Sequence, residues 1–201
     1  MSIKPILFYT DMVRALLANR KTVTRRVVKM PAAVTSKTVD RVCVKDGAAH
    51  FSWSWSEAFS GFDVKMPYRP GDILYVRETW QNGFGGTYLY RADAGHDLFM
   101  TPEGKLVSDI PWRPSIHMPR EAARIFLRVT DVQVERLQDI TEECAFAEGA
   151  QTTATFQSAR YVFRDIWDNT IKSVDRALYG WAATPWVWVI EFERCESQKG
   201  D

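Results

Sequence analysis

The chain has 201 residues, 46% of them hydrophobic, with eight Trp and eleven Phe; this excludes a disordered chain and predicts a packed core. A net charge of +1 demands no polyanionic partner. No stretch approaches the ~18 consecutive apolar residues of a membrane-spanning helix, and the N-terminus lacks a signal-peptide profile.

Residues 5–8 read as a short buried strand. Thr10 is a good N-cap for a helix over 11–18, with Met12, Val13, Leu16 and Leu17 on one face. Asn19 tolerates the left-handed conformation that ends helices. Residues 22–28 then have strand character, with Thr22, Thr24 and Arg26 on one face and Val23, Arg25 and Val27 on the other. Lys21 sits at the turn, where the pleat leaves its direction open. The stretch Asn19-Arg-Lys-Thr-Val-Thr-Arg-Arg26 holds four cations and two hydroxyls around one apolar residue. It suits acyl transfer or a grip on a polyanion, and a solvated basic turn would look the same.

Residues 39–44 and 49–55 look like two strands around the turn Lys45-Asp-Gly47. Pro70-Gly-Asp72 opens a strand over 73–80, in which Glu78 shares a face with Leu74 and Val76. A carboxylate there is at a pocket mouth, paired, or beyond the buried part of the strand. Gly83-Phe-Gly-Gly86 is a turn before a strand at 88–90 and lacks the context of a phosphate loop. Residues 93–123 read as a long loop. Within it, Trp112-Arg-Pro-Ser-Ile-His-Met-Pro-Arg120 has two prolines that bar ordinary helix or central strand. A strand follows over 125–137, and Thr141 caps a short helix through Glu148 with Gly149 as its stop. Ala159, Val162, Phe163, Ile166 and Trp167 form a core-facing stripe on a helix over 157–171, and residues 186–192 alternate as a closing strand.

Charge is uneven. Residues 1–30 carry seven Lys/Arg against Asp11, and residues 131–148 carry six acids against Arg136. Seventeen of the 26 basic residues are arginine, the type suited to phosphates and to stacking on bases. Cys43, Cys144 and Cys195 fit neither a metal pattern nor an even disulfide set, which predicts reduced thiols in a cytoplasmic protein. His50, His96 and His117 have no zinc spacing, and nucleophile-elbow, Walker and dinucleotide motifs are absent. No metal or organic cofactor is expected.

The order of these motifs resembles the ASCH superfamily, whose signature Gly-x-Lys-x-x-Glu-x-Arg lies over residues 19–26. Lys21 and Arg26 match, Asn19 stands for the Gly, and Thr24 for the Glu. The bacterial N4-acetylcytidine amidohydrolases of this superfamily also have Lys-Thr-x-Thr, and their catalytic Glu lies in a short helix like that after Ile140-Thr-Glu142. The resemblance implies an α+β fold: one PUA-like mixed β-barrel domain over 1–201 with flanking short helices. It leaves segments 31–68 and 91–120 as insertions. Val76-Arg-Glu-Thr-Trp80 and 185–192 look still more like uncharacterised ASCH-like proteins of phages and prophages.

By that resemblance Thr24, Lys21 and Glu148 form a catalytic set that removes an acetyl group from N4-acetylcytidine or a related nucleoside. Thr24 attacks, Lys21 acts as base, and Glu148 orients substrate or protonates the leaving amine. Arg26 or backbone N–H groups serve the oxyanion, and Glu78, Trp80, Trp112, His117 and Arg120 are candidates for holding the base or RNA. A non-catalytic PUA-like reader of RNA or a modified base fits the same arginines and aromatics. An RNA-cleaving enzyme using Lys21 and His117 is a third reading. The cluster 19–26 and the loop 112–120 are expected to border one pocket.

Overall fold

The computed structural model describes residues 2–31, 39, 41–53, 61–94, 99–100, 106–107, 111–152 and 158–196. In chain order these form β1 (Ile3–Leu7), α1 (Thr10–Leu17), β2 (Val23–Val27), β3 (Arg41–Lys45), β4 (Ala48–Ser52) and β5 (Gly61–Lys65). Next come β6 (Ile73–Arg77), β7 (Trp80–Asn82), β8 (Tyr88–Tyr90), β9 (Phe99–Met100), β10 (Leu106–Val107) and β11 (Phe126–Arg136). Helices α2 (Glu142–Ala147), α3 (Ala159–Thr170) and α4 (Arg176–Tyr179) precede the last strand, β12 (Trp186–Cys195). The fold is mixed α+β. Two compact units divide it: residues 1–20, 71–128 and 193–201 in the first, 21–70 and 129–192 in the second. No described helix is long and apolar enough to cross a membrane. Residue 96 and the parts of the expected strand 49–55 and helix 157–171 at 54–55 and 157 lie outside the described residues.

In the first unit β1 runs parallel to β6, Ile3 opposite Ile73, and the start of β11 runs antiparallel to β6, Phe126 opposite Tyr75. β6 is the central strand of the three, and Ile73, Leu74 and Val76 are buried. β1 is an edge, where Pro5 is tolerated because its missing N–H breaks no inner ladder. Asp72 ties down the chain start, accepting from Ser2 N–H at 3.1 Å, Ser2 Oγ at 2.7 Å and Lys4 Nζ at 2.7 Å. Helix α1 buries Val13, Ala15 and Leu16. Its N-cap is Tyr9, not Thr10, which is already the first helical residue. The other end is as expected: Asn19 takes φ 55°, its N–H donates to Leu16 O, and Arg20 N–H donates to Ala15 O. That pair of bonds is a Schellman cap.

In the second unit β2 pairs antiparallel with β12, so that Thr24 faces Ile190, Arg25 faces Val189 and Arg26 faces Trp188. β12 lies between β2 and β11. A separate antiparallel sheet has the order β3-β4-β5. Its first hairpin turns at Asp46 (φ 53°) and Gly47 (φ 82°), the left-handed pair that a tight type I′ turn needs. β5 escaped the sequence reading because Phe62 and Val64 are its only apolar side chains. Pairing with β4, with Phe62 stacked on Phe51 at 5.4 Å, is what makes it a strand. The core holds Val23, Leu137, Phe163, Trp167, Val187 and Val189, which confirms the stripe expected on α3. Each such side chain stabilises the unit by roughly 1.5–3 kcal/mol.

Among the described residues the sheets are open, so the closed β-barrel that was expected is not formed. β2 is an edge strand, and the backbone groups around its start are satisfied without another strand: Thr22 N–H donates to Ala147 O at 2.9 Å, and Val23 O accepts from Lys21 Nζ at 2.8 Å. A helix end and a lysine thus take the first outward groups of this edge.

Candidate active site

Two Schellman caps precede or hold the site residues in sequence. One ends α1 at Asn19, two residues before Lys21. The other ends α2: Glu148 is the C-cap, Gly149 takes φ 95°, Gly149 N–H donates to Phe146 O and Ala150 N–H to Ala145 O. Thr141 caps the start of that helix by accepting from Cys144 N–H at 3.2 Å. Glu148 is thereby held at a fixed position, 5% exposed, and Lys21 is 3% exposed.

Lys21 Nζ donates to Val23 O at 2.8 Å, to Glu148 O at 2.8 Å and to Glu148 Oε2 at 2.6 Å. Three acceptors match the three N–H groups of an ammonium; a neutral amine has only two. The resting pair is therefore lysinium and carboxylate. Burial nevertheless lowers the Lys21 pKa below its ordinary 10.5; Glu148 opposes the shift, while Arg26 and Arg25 add to it. The ammonium is stable only while Glu148 stays charged beside it.

A second cation completes the network. Arg25 Nη1 lies 3.3 Å from Glu148 Oε1, and Arg25 Nε donates to Glu135 Oε1 at 2.8 Å. Burial pulls the Arg25 pKa down, but Glu148 and Glu135 outweigh it and hold the guanidinium above its ordinary range. The four side chains balance two positive charges with two negative ones, which lets Lys21, Arg25 and Glu148 be buried while Glu135 stays partly exposed. Two of the seven cations of residues 1–30 and two of the six acids of residues 131–148 meet here. Arg25 and Glu135 were not singled out from sequence. An arginine alternating with Val23 and Val27 on an apolar face was the available signal, the same signal that drew attention to Glu78.

Thr24 is 4% exposed. The pleat puts it with Arg26 on the Ile190–Trp188 face, while Arg25 shares the opposite face with Val23 and Val27. Arg26 is half-buried, and its charge opposes the upward shift that burial imposes on Tyr68.

The remaining candidates belong to the first unit. Glu78 is 1% exposed and paired: Arg124 Nε donates to its Oε1 at 2.9 Å and Arg124 Nη2 to its Oε2 at 3.1 Å. Burial raises its pKa above 4.5 against the pull of Arg124. Arg124 also holds Asp93 at 2.6 and 2.9 Å and lies 3.9 Å from the Tyr90 ring centre. Trp80 is buried against Met118 and Ala122. Its indole N–H has no acceptor among the described residues. The segment 112–120 is more regular than expected, with 3-10 turns at Ser115–His117 and Arg120–Ala122, each preceded by a proline. Trp112 is half-buried, and His117 and Arg120 are exposed.

Among the described residues no group of three or more His, Cys, Asp or Glu side chains is placed to hold a metal ion. Cys43, Cys144 and Cys195 are free thiols. No family profile, curated protein or solved structure matches this chain.

Proposed function

We propose that this is an ASCH-type protein of PUA-like ancestry that hydrolyses the amide of N4-acetylcytidine or a related acylated nucleoside. The observation that carries the reading is the buried 2.6 Å contact between Lys21 Nζ and Glu148 Oε2, three residues before Thr24. A proton moving along it converts the ion pair into a neutral amine and a carboxylic acid. Two partners on one shared proton are a base and an acid in waiting.

The steps follow from that transfer. Neutral Lys21 gives up one carbonyl contact and takes the Thr24 hydroxyl proton as Oγ1 attacks the acetyl carbon. Arg26, on the Thr24 face of β2, stabilises the oxyanion. The carbon–nitrogen bond breaks, N4 takes a proton from the Glu148 carboxylic acid, and cytidine leaves. Water then attacks the acyl-threonine, loses one proton to Glu148 and releases acetic acid as Thr24 recovers its own proton from Lys21.

Acetate release and nucleoside binding, measured on the same variants, test this. Thr24→Val is nearly isosteric and should abolish release by several orders of magnitude while binding persists. Lys21→Arg should do the same, because a guanidinium does not act as a base. Circular dichroism of both variants reports whether the fold is kept. Nucleoside binding by the wild type without acetate from any acylated cytidine overturns the hydrolase reading.

A second reading draws on the full satisfaction of Lys21. With all three N–H groups engaged, the network is equally suited to a rigid scaffold for a non-catalytic reader of RNA or a modified base. In that case Lys21→Arg leaves binding largely intact, since the charge remains.

A further inference from the structure

The β7–β8 hairpin pairs Trp80 with Tyr90. On the other side of β7, Trp80 N–H donates to Arg113 O at 3.2 Å and Arg113 N–H to Trp80 O at 2.8 Å. Arg91 N–H donates to Thr79 O at 2.9 Å. Arg91 and Arg113 therefore leave the backbone on either side of Thr79 and Trp80. The Arg113 guanidinium lies 5.4 Å from the Trp80 ring centre, and that of Arg91 lies 5.4 Å from Trp112. Both arginines are exposed, and neither has an ion pair among the described residues. Arg124 stands in contrast, its donors consumed by Glu78 and Asp93.

We propose that this cluster is a binding surface for single-stranded nucleic acid, a function independent of any chemistry at Thr24. A guanidinium resting on a ring has lost its rotamer freedom before a ligand arrives. Its edge keeps N–H donors for phosphate oxygens, and its outer face accepts a second planar group. The matching ligand carries a planar ring and one negative charge at every repeat. Single strands have both exposed. An acidic peptide would meet the charge and leave the stacking faces unused, and a duplex keeps its bases in the stack.

The test is fluorescence anisotropy of a short labelled oligouridylate with the whole protein, over rising potassium chloride. Binding should weaken with salt, and Arg91→Ala with Arg113→Ala should lower the log–log slope by about 0.7 per arginine. Affinity should fall about tenfold or more. Arg91→Lys with Arg113→Lys should keep the slope and lose affinity, which separates stacking from charge. Circular dichroism of both pairs should match the wild type, because the exposed side chains hold no core. Thr24→Val should bind as the wild type does, so a failure of hydrolysis is not read as a failure here. Unchanged affinity in the folded alanine pair overturns the proposal. Competition by polyglutamate or by duplex RNA as strong as by the single strand also overturns it.

Discussion

Lys21→Met removes the buried ammonium while keeping the length of the side chain. Among the described residues the Glu148 carboxylate then retains the longer contact to Arg25 at 3.3 Å, and Val23 O and Glu148 O each lose a 2.8 Å donor. Stripping one partner from a buried pair costs about 3–5 kcal/mol, since the other charge stays buried without compensation. At a urea slope of about 2 kcal/mol/M the unfolding midpoint should drop by about 1.5–2.5 M. The cost sits in the orphaned carboxylate, because burial lowers the Lys21 pKa despite Glu148 and the pair itself is no net gain. Adding Glu148→Leu should therefore recover most of the loss. The pH profile carries the same signature. Lys21 releases its proton at lower pH when folded than its ordinary 10.5, so between those values the unfolded chain binds more protons. Stability from this group rises with pH across that window, and Lys21→Met should abolish the rise. A loss under about 1 kcal/mol with an unchanged slope in urea would refute the account of a buried, mutually dependent pair.

Glu78 has the opposite proton linkage. Its folded pKa lies above 4.5 through burial, so the stability it contributes is full below 4.5 and is lost as pH rises through the folded value. Glu78→Gln should flatten that segment of a urea-melt series across pH. Gly149→Ala places a side chain at φ 95° and should cost about 1–2 kcal/mol, read as a lower urea midpoint. Trp167→Ala empties a core site beside Phe163, 6.1 Å away, and removes the indole donor to Tyr179 O at 2.8 Å. A loss of about 3–5 kcal/mol in the same assay is expected.

Interactions that close within a few residues were legible in the sequence. Asn19 and Gly149 end their helices as read, because the left-handed conformation is a property of the residue itself. The turn at Asp46 and Gly47, the stripe on α3 and the division of β2 into a Thr24–Arg26 face and an Arg25 face follow from backbone periodicity alone. The excess of basic charge near the start and of acid at 131–148 was also visible, but not which groups would pair. Lys21 sits outside the regular strand, and its partner Glu148 is 127 residues away in sequence; Arg25 reaches Glu148 and Glu135 across 123 and 110. Glu78 was expected to be paired or at a pocket mouth, and Arg124, 46 residues on, decides for pairing. Strand β5 has too few apolar residues to declare itself, and only its partner β4 makes it one. At the start of β2 the end of α2 and Lys21 take the Thr22 N–H and the Val23 carbonyl, contacts that only the tertiary fold supplies. Local conformation is set by each residue and its neighbours along the chain. A buried charge is set by whichever opposite charge the tertiary fold brings within hydrogen-bond range, because only that contact offsets its desolvation.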